Sequence, residues 1–126
     1  MNQGQIQKWQ VFYLFCHYAL PNPKHKYVVI VCVEPLLLWF MINSKINPYV
    51  ATRPKFLACY SLLKVNQHAF LQHDSYVDCS TPCPFSASEL VNPQGFISEE
   101  AKPDILKTVK ACTELDLRYK KMILIH

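Results

Sequence analysis

Apolar, β-branched and aromatic side chains recur along this chain in short runs, each closed by proline, asparagine or a small group of charges. That is the punctuation of short strands. Residues 9–18 read as the first strand. Pro21-Asn22-Pro23-Lys24 is a turn, because proline cannot continue a central strand. The unbroken apolar run over 27–33 predicts a central second strand, with the basic Lys24, His25 and Lys26 at its mouth. Glu34-Pro35 marks a turn, and 36–42 is a third strand ending in Asn43-Ser44-Lys45. Asn47-Pro48 is a turn signal, 49–54 a loop carrying Arg53, 56–63 a fourth strand, and 64–72 a loop with room for one helical turn.

Residues 71–80 combine the two patterns most informatively. His73, Asp74 and Ser75 are turn-like, and 76–79 form a fifth strand. Strand side chains alternate, so Val77 and Cys79 share one face while Asp78 and Ser80 share the other. Such a strand can line a site from its polar face, or be an ordinary strand after a capped turn. Thr81-Pro82-Cys83-Pro84 must be extended or turned. Residues 85–91 open with a short helical turn or form a final strand, and Asn92-Pro93-Gln94-Gly95 is a turn.

A 3.6-residue period enters only afterwards. Ser98 followed by Glu99 and Glu100 is a helix N-terminal signal. Pro103 fits only the first turn, which moves the regular start toward Lys102. Ile105, Val109 and Cys112, flanked by Leu106 and Leu115, then make one apolar stripe that packs on the sheet. The tail, 117–126, alternates poorly, and 122–125 is apolar enough to form a strand or to dock on a neighbour.

Composition narrows this picture without redirecting it. The 126 residues fit one domain, 1–126. With 51% hydrophobic and 17% charged residues the chain is globular rather than disordered. The result is a mainly β (α+β) expectation: a small barrel of five to six strands with a C-terminal helix. A formal charge of +4 permits an anionic partner without requiring one. The apolar run 28–42 is too short, and too broken by Glu34 and Pro35, to span a membrane. Residues 1–10 lack the basic region and apolar core of a signal peptide. Cys16, Cys32 and Cys59 sit in apolar runs, where free cysteine behaves as a small hydrophobe. Free thiols in a reducing, cytoplasmic compartment are therefore expected rather than three disulfides. Cys79, Cys83 and His73 lie close in sequence, but no second ligand pair follows at zinc spacing, so neither metal nor cofactor is expected.

Three segments fall in a suggestive order across roughly residues 9–115: His25-Lys26-Tyr27-Val28-Val29-Ile30-Val31, Asp74-Ser75-Tyr76-Val77-Asp78-Cys79-Ser80, and Gly95-Phe96-Ile97-Ser98-Glu99-Glu100 leading into Ile105-Leu106-Lys107-Thr108-Val109. Together they resemble the second strand, the Ser-Val-Val-x-Cys-Asp-Gln strand and the terminal Gly-x-Leu-Ser-x-Glu helix of the MazF/PemK/Kid-type toxins of bacterial toxin–antitoxin pairs. The resemblance implies an SH3-like barrel, often a homodimer, that cuts single-stranded RNA without a metal and is held inactive by a cognate antitoxin. It also implies where the site lies. The family's catalytic Arg falls on Lys26, which keeps the charge but loses the planar two-point grip on phosphate. The family's Thr or Ser after the third strand falls on Asn43-Ser44. The Arg and Asp that flank the cysteine of the fifth strand in the family's plasmid-borne branch become Asp78 and Ser80, so the usual acid–base pair is altered.

RNA cleavage through its own 2′-hydroxyl needs a base, charge to stabilise the phosphorane and an acid for the leaving 5′-oxygen. Lys26 can supply charge, Asp78 a base or a partner for histidine, His73 or His25 an imidazole for proton transfer, and Ser44 a phosphate contact. Lys45, Arg53 and Lys55, with His25, Asn43 and Ser80, are the candidates for binding RNA. Bland readings stand beside these: His25 and Lys26 as solvated loop, His73-Asp74-Ser75 as a self-bonded turn, the other cations as scattered surface charge. Two functions follow, a ribonuclease toxin or an inactive barrel of the same shape that binds RNA or a protein.

Overall fold

A computed structural model describes residues 6–17, 19, 22–83 and 86–125. Six antiparallel strands, β1 (Gln10–Cys16), β2 (Lys24–Cys32), β3 (Leu38–Asn43), β4 (Tyr60–Leu63), β5 (Ser75–Asp78) and β6 (Pro93–Phe96), form one sheet in the order β4-β5-β3-β2-β1-β6. The sheet curls into a half-barrel, and the C-terminal helices pack on it: a mainly β, α+β fold. Between strands lie two one-turn helices, α1 (Pro48–Ala51) and α2 (Pro54–Leu57). After the sheet come α3 (Ala101–Ala111) and α4 (Leu117–Ile125). No helix among the described residues is long and apolar enough to cross a membrane.

Alternation along the strands builds two cores, one on each face of the sheet. Val29, Val31, Phe40, Ile42 and Val77 pack beneath Ile105, Val109 and Ile123 of the helices. Phe12, Leu14, Val28, Ile30 and Trp39 fill the opposite face, covered in part by Ile6, Cys83 and Leu90. The expected stripe on α3 is present: Ile105, Val109 and Cys112 are fully buried, and Leu115 nearly so. Pro103 falls in the first turn of α3, and the Ser98 hydroxyl accepts the Ala101 N–H at 3.1 Å.

Several boundaries differ from the sequence expectation, each for a local reason. The basic triplet Lys24-His25-Lys26 belongs to β2 itself, paired with Cys16, Phe15 and Leu14 of β1. The loop expected over 49–54 contains α1, because Asn47 caps it, accepting the Val50 N–H at 2.9 Å, and Pro48 sits at its first position. Pro54 likewise starts α2, so the fourth strand is only Tyr60–Leu63 rather than 56–63. The stretch whose residues predict a turn, 92–95, contributes most of edge strand β6, where Pro93 opens the strand without costing a central hydrogen bond. The tail is a helix rather than a strand, and it docks on the core through Ile123: the Asp116 carboxylate accepts the Arg118 N–H at 2.8 Å, and the Lys120 ammonium caps α3 through the Cys112 carbonyl at 2.5 Å. The expected ends at Tyr18, Pro21, Pro84 and Phe85 lie outside the described residues.

The thiol expectation needs correction. Cys59 is bonded to Cys112, across a sequence separation of 53, while Cys16, Cys32, Cys79 and Cys83 are free and buried. Cys59 precedes β4 and Cys112 follows α3, so the fold brings together two cysteines that sequence spacing does not associate.

His68 ties the same regions together and had no sequence signature. Its ring is buried, Nδ1 lies 2.8 Å from the Lys64 carbonyl, and Nε2 accepts the Ser98 N–H at 3.1 Å. Accepting at Nε2 places the ring proton on Nδ1, where the Lys64 carbonyl takes it. His68→Ala leaves the Ser98 N–H unpaired at the approach to α3. It is expected to cost about 2 kcal/mol, read as a lower urea midpoint. An unchanged midpoint would rule out this bridge as a structural element.

Candidate functional site

The neighbouring ends of β2, β3, β4 and β5 present polar side chains on one face. The β2–β3 register, which pairs Tyr27 with Ile42, brings Lys26 beside Asn43. The Lys26 ammonium donates to the Asn43 side-chain oxygen at 2.5 Å. Tyr60 is paired directly with Asp78 across β4 and β5. Its hydroxyl donates to one Asp78 carboxylate oxygen at 3.3 Å, while the Ser80 N–H and hydroxyl donate to the other at 3.0 and 2.6 Å. The alternation read from the sequence placed Asp78 and Ser80 together, and here they share one hydrogen-bond network.

These groups border an open cleft of about 410 Å³, lined by Lys24, Lys26, Asn43, Ser44, Lys45, Tyr60 and Asp78 among others. A second cleft of about 270 Å³ adjoins it and shares Lys24, Lys26 and Ser44. His25 and His73 belong to this second cleft, with Tyr13, Tyr27 and Ser75. The candidate residues thus form two groups on either side of a divide made by Lys26 and Ser44. His73 is exposed, and it is Tyr60 and Ser80, not a histidine, that hold the Asp78 carboxylate.

Electrostatics follow from half-burial. Desolvation holds the Lys26 ammonium below the ordinary lysine range, and Lys24 pushes in the same direction. Cys16 and Asp78 offset part of this. Burial, with the neighbouring Asp78 carboxylate, pushes the Tyr60 phenol up to about 12, so it remains a hydrogen-bond donor at neutral pH. Burial likewise raises Cys79, and raises Cys83 to about 12. Those thiols are poor nucleophiles and poor metal ligands. Among the described residues no group of three or more His, Cys, Asp or Glu side chains could hold a metal ion.

Arg53 and Lys55 are not brought to either cleft. Arg53 lies 3.5 Å over the Tyr49 ring and donates to the Tyr49 carbonyl at 2.9 Å, closing α1 on itself. Lys55 stands 4.0 Å from Glu114. The Asp74 carboxylate accepts the Val65 N–H at 2.9 Å, and the Ser75 hydroxyl donates to the His73 carbonyl at 3.1 Å. The 73–75 segment is therefore self-bonded only through Ser75, while Asp74 ties it to the loop before it, and His73 is exposed. Tyr60 escaped the sequence reading because its strand begins late. Its only signal was position, sharing a strand face with Leu62.

No protein-family model matches the chain, and no curated protein matches it.

Proposed function

We propose that this chain is a metal-independent endoribonuclease acting on single-stranded RNA, the toxin of a toxin–antitoxin pair similar to the MazF/PemK/Kid type. The observation that carries the reading is the divide between the two clefts: Lys26 and Ser44 line both, with Asp78 lining one and His73 the other. A phosphate seated at the divide meets the Lys26 ammonium and the Ser44 hydroxyl, with a carboxylate and an imidazole on opposite flanks. Asp78 takes the proton of the 2′-hydroxyl as that oxygen attacks phosphorus. Lys26 stabilises the charge gathering on the phosphoryl oxygens. The bond from phosphorus to the 5′-oxygen breaks, and His73 protonates the leaving oxygen. The products are a 2′,3′-cyclic phosphate and a 5′-hydroxyl.

The partners in this reading are single-stranded RNA, a cognate antitoxin and a second copy of the chain, in the cytoplasm. The test is incubation of the purified protein with a long single-stranded RNA in EDTA. Discrete fragments ending in cyclic phosphate are expected. Intact RNA, from protein shown to be folded and free of antitoxin, would overturn the nuclease reading. A specific observation would then favour a binding module: Lys26 is already partnered by Asn43, and Asp78 by Tyr60 and Ser80.

A further inference from the structure

We infer that the rings at the β1–β2 end of the second cleft form a platform on which RNA bases stack beside the phosphate site. Tyr13 is paired with Tyr27, and Phe15 with His25, so all four lie on the same face of the sheet. Their centroids are close: 4.7 Å between Tyr13 and Tyr27, and 5.3 Å both from Tyr13 to His25 and from Phe15 to His25. His17 extends the row beyond Phe15 at 4.9 Å, and Phe70 extends it beyond Tyr27 at 5.4 Å. The Tyr27 hydroxyl donates to the Phe70 carbonyl at 2.9 Å, which fixes that end.

Cross-strand aromatic pairs can serve only to stabilise a sheet. Here the outer rings are open instead: Phe15 is 42% exposed, and His17 and His25 are exposed as well. The occupant is identified by chemistry. Aromatic and imidazole faces accept any base by stacking, and Lys24 and Lys26 stand beside them for the backbone. No acidic side chain borders this cleft among the described residues, and the nearby Asp74 carboxylate is bonded to the Val65 N–H. Tyr13, His25 and Tyr27 line one cleft with Lys24 and Lys26, so a strand whose phosphate sits in that cleft lays about two or three neighbouring bases along the rings. Duplex RNA, whose bases stack on each other, cannot use the platform.

This inference rests on RNA as the partner of the proposed site but not on cleavage, and the test separates the two. The probe is a fluorescein-labelled 2′-O-methyl RNA oligomer of mixed sequence, which cannot be cut because the attacking hydroxyl is blocked. Binding is measured by anisotropy against the same oligomer with central abasic positions and against its duplex. The intact single strand is expected to bind the parent protein about ten-fold more tightly than either. The double variant Phe15→Leu/His25→Asn, which keeps side-chain bulk but removes two ring faces, is expected to lose about ten-fold in affinity for it with an unchanged salt slope. Equal affinity of the parent for intact and abasic oligomers would overturn the platform. That comparison does not depend on how the variant folds. Ring-dependent binding by a protein that leaves RNA intact would remove the nuclease and keep the platform. Cleavage by a protein that binds both oligomers alike would do the reverse.

Discussion

Lys26→Ala is expected to slow RNA cleavage by about 10²–10³-fold, the usual loss when one preorganised charge is taken from a developing anion. The size of the effect follows from placement. Lys26 stands at the divide between the clefts and is half-buried, so its charge acts on a phosphate with less screening by water than an exposed lysine provides. Lys24 lines the same clefts but is exposed. Lys24→Ala should weaken RNA binding, flatten its salt dependence and leave the chemical step nearly unchanged. The two variants therefore separate in single-turnover kinetics with RNA at saturation.

A pH profile adds a second, independent reading. Catalysis needs the Lys26 ammonium protonated, and burial holds that ammonium below the ordinary lysine range. The cleavage rate should therefore fall on the alkaline side earlier than an exposed lysine would cause. Lys26→Arg should remove the part of that fall that comes from Lys26, because a guanidinium does not deprotonate there, and leave the part that comes from loss of the general acid. The same change supplies the planar two-point phosphate grip that lysine lacks, so Lys26→Arg is expected to retain activity. Parental rates in Lys26→Ala would remove Lys26 from the mechanism, and with it the carrying observation of the proposed function.

Which features were legible in the sequence follows from how local their causes are. The buried centres of β1, β2 and β3 announce themselves through runs such as Tyr27-Val28-Val29-Ile30-Val31, where burial on both faces leaves no room for polar residues. The apolar stripe of α3 and the shared face of Asp78 and Ser80 are equally local, set by periods of 3.6 and 2. Proline was the main source of error. At Pro48 and Pro54 it opens short helices, and at Pro93 it opens an edge strand, yet at each place it reads as a loop or turn. Whether a proline starts an element depends on the cap before it and on whether its missing N–H would have faced a neighbouring strand.

The site was legible residue by residue but not as an arrangement. Sequence placed Lys26, Ser44, Asp78 and His73 in one candidate set, whereas in the fold Lys26 and Ser44 line both clefts and Asp78 and His73 line one each. Tyr60 and Asp78 are 18 residues apart in the chain and meet only because β4 pairs with β5. Arg53 is diverted by a contact four residues away, to the Tyr49 carbonyl, which its charge alone does not reveal.

Removing the Cys59–Cys112 bond is expected to lower stability by about 4 kcal/mol, through the chain entropy released when a loop of this length is opened in the unfolded state. Both cysteines are fully buried, and replacing them with alanine also takes away a little packing, so reduction of the intact protein is the cleaner comparison. Urea unfolding with and without dithiothreitol should show a lower midpoint in the reduced protein. Alkylation after denaturation counts the thiols directly: four are free in the bonded protein, against six cysteines in the chain.

The consequence reaches the site through the backbone. The Cys79 N–H donates to the Cys59 carbonyl at 2.8 Å, and the next residue, Tyr60, donates to Asp78. Four residues make up β4, an edge strand joined to the sheet through β5 alone. Its lower end is held by the bond to α3, so opening that bond removes one of the few restraints on Tyr60. If Asp78 is the base of the reaction, reduction should lower cleavage at urea concentrations well below the unfolding midpoint. Equal midpoints and six reactive thiols would mean that the pair stands reduced in the protein as made. Cys59 and Cys112 would then contribute only as small apolar groups, the role their apolar surroundings predict from sequence.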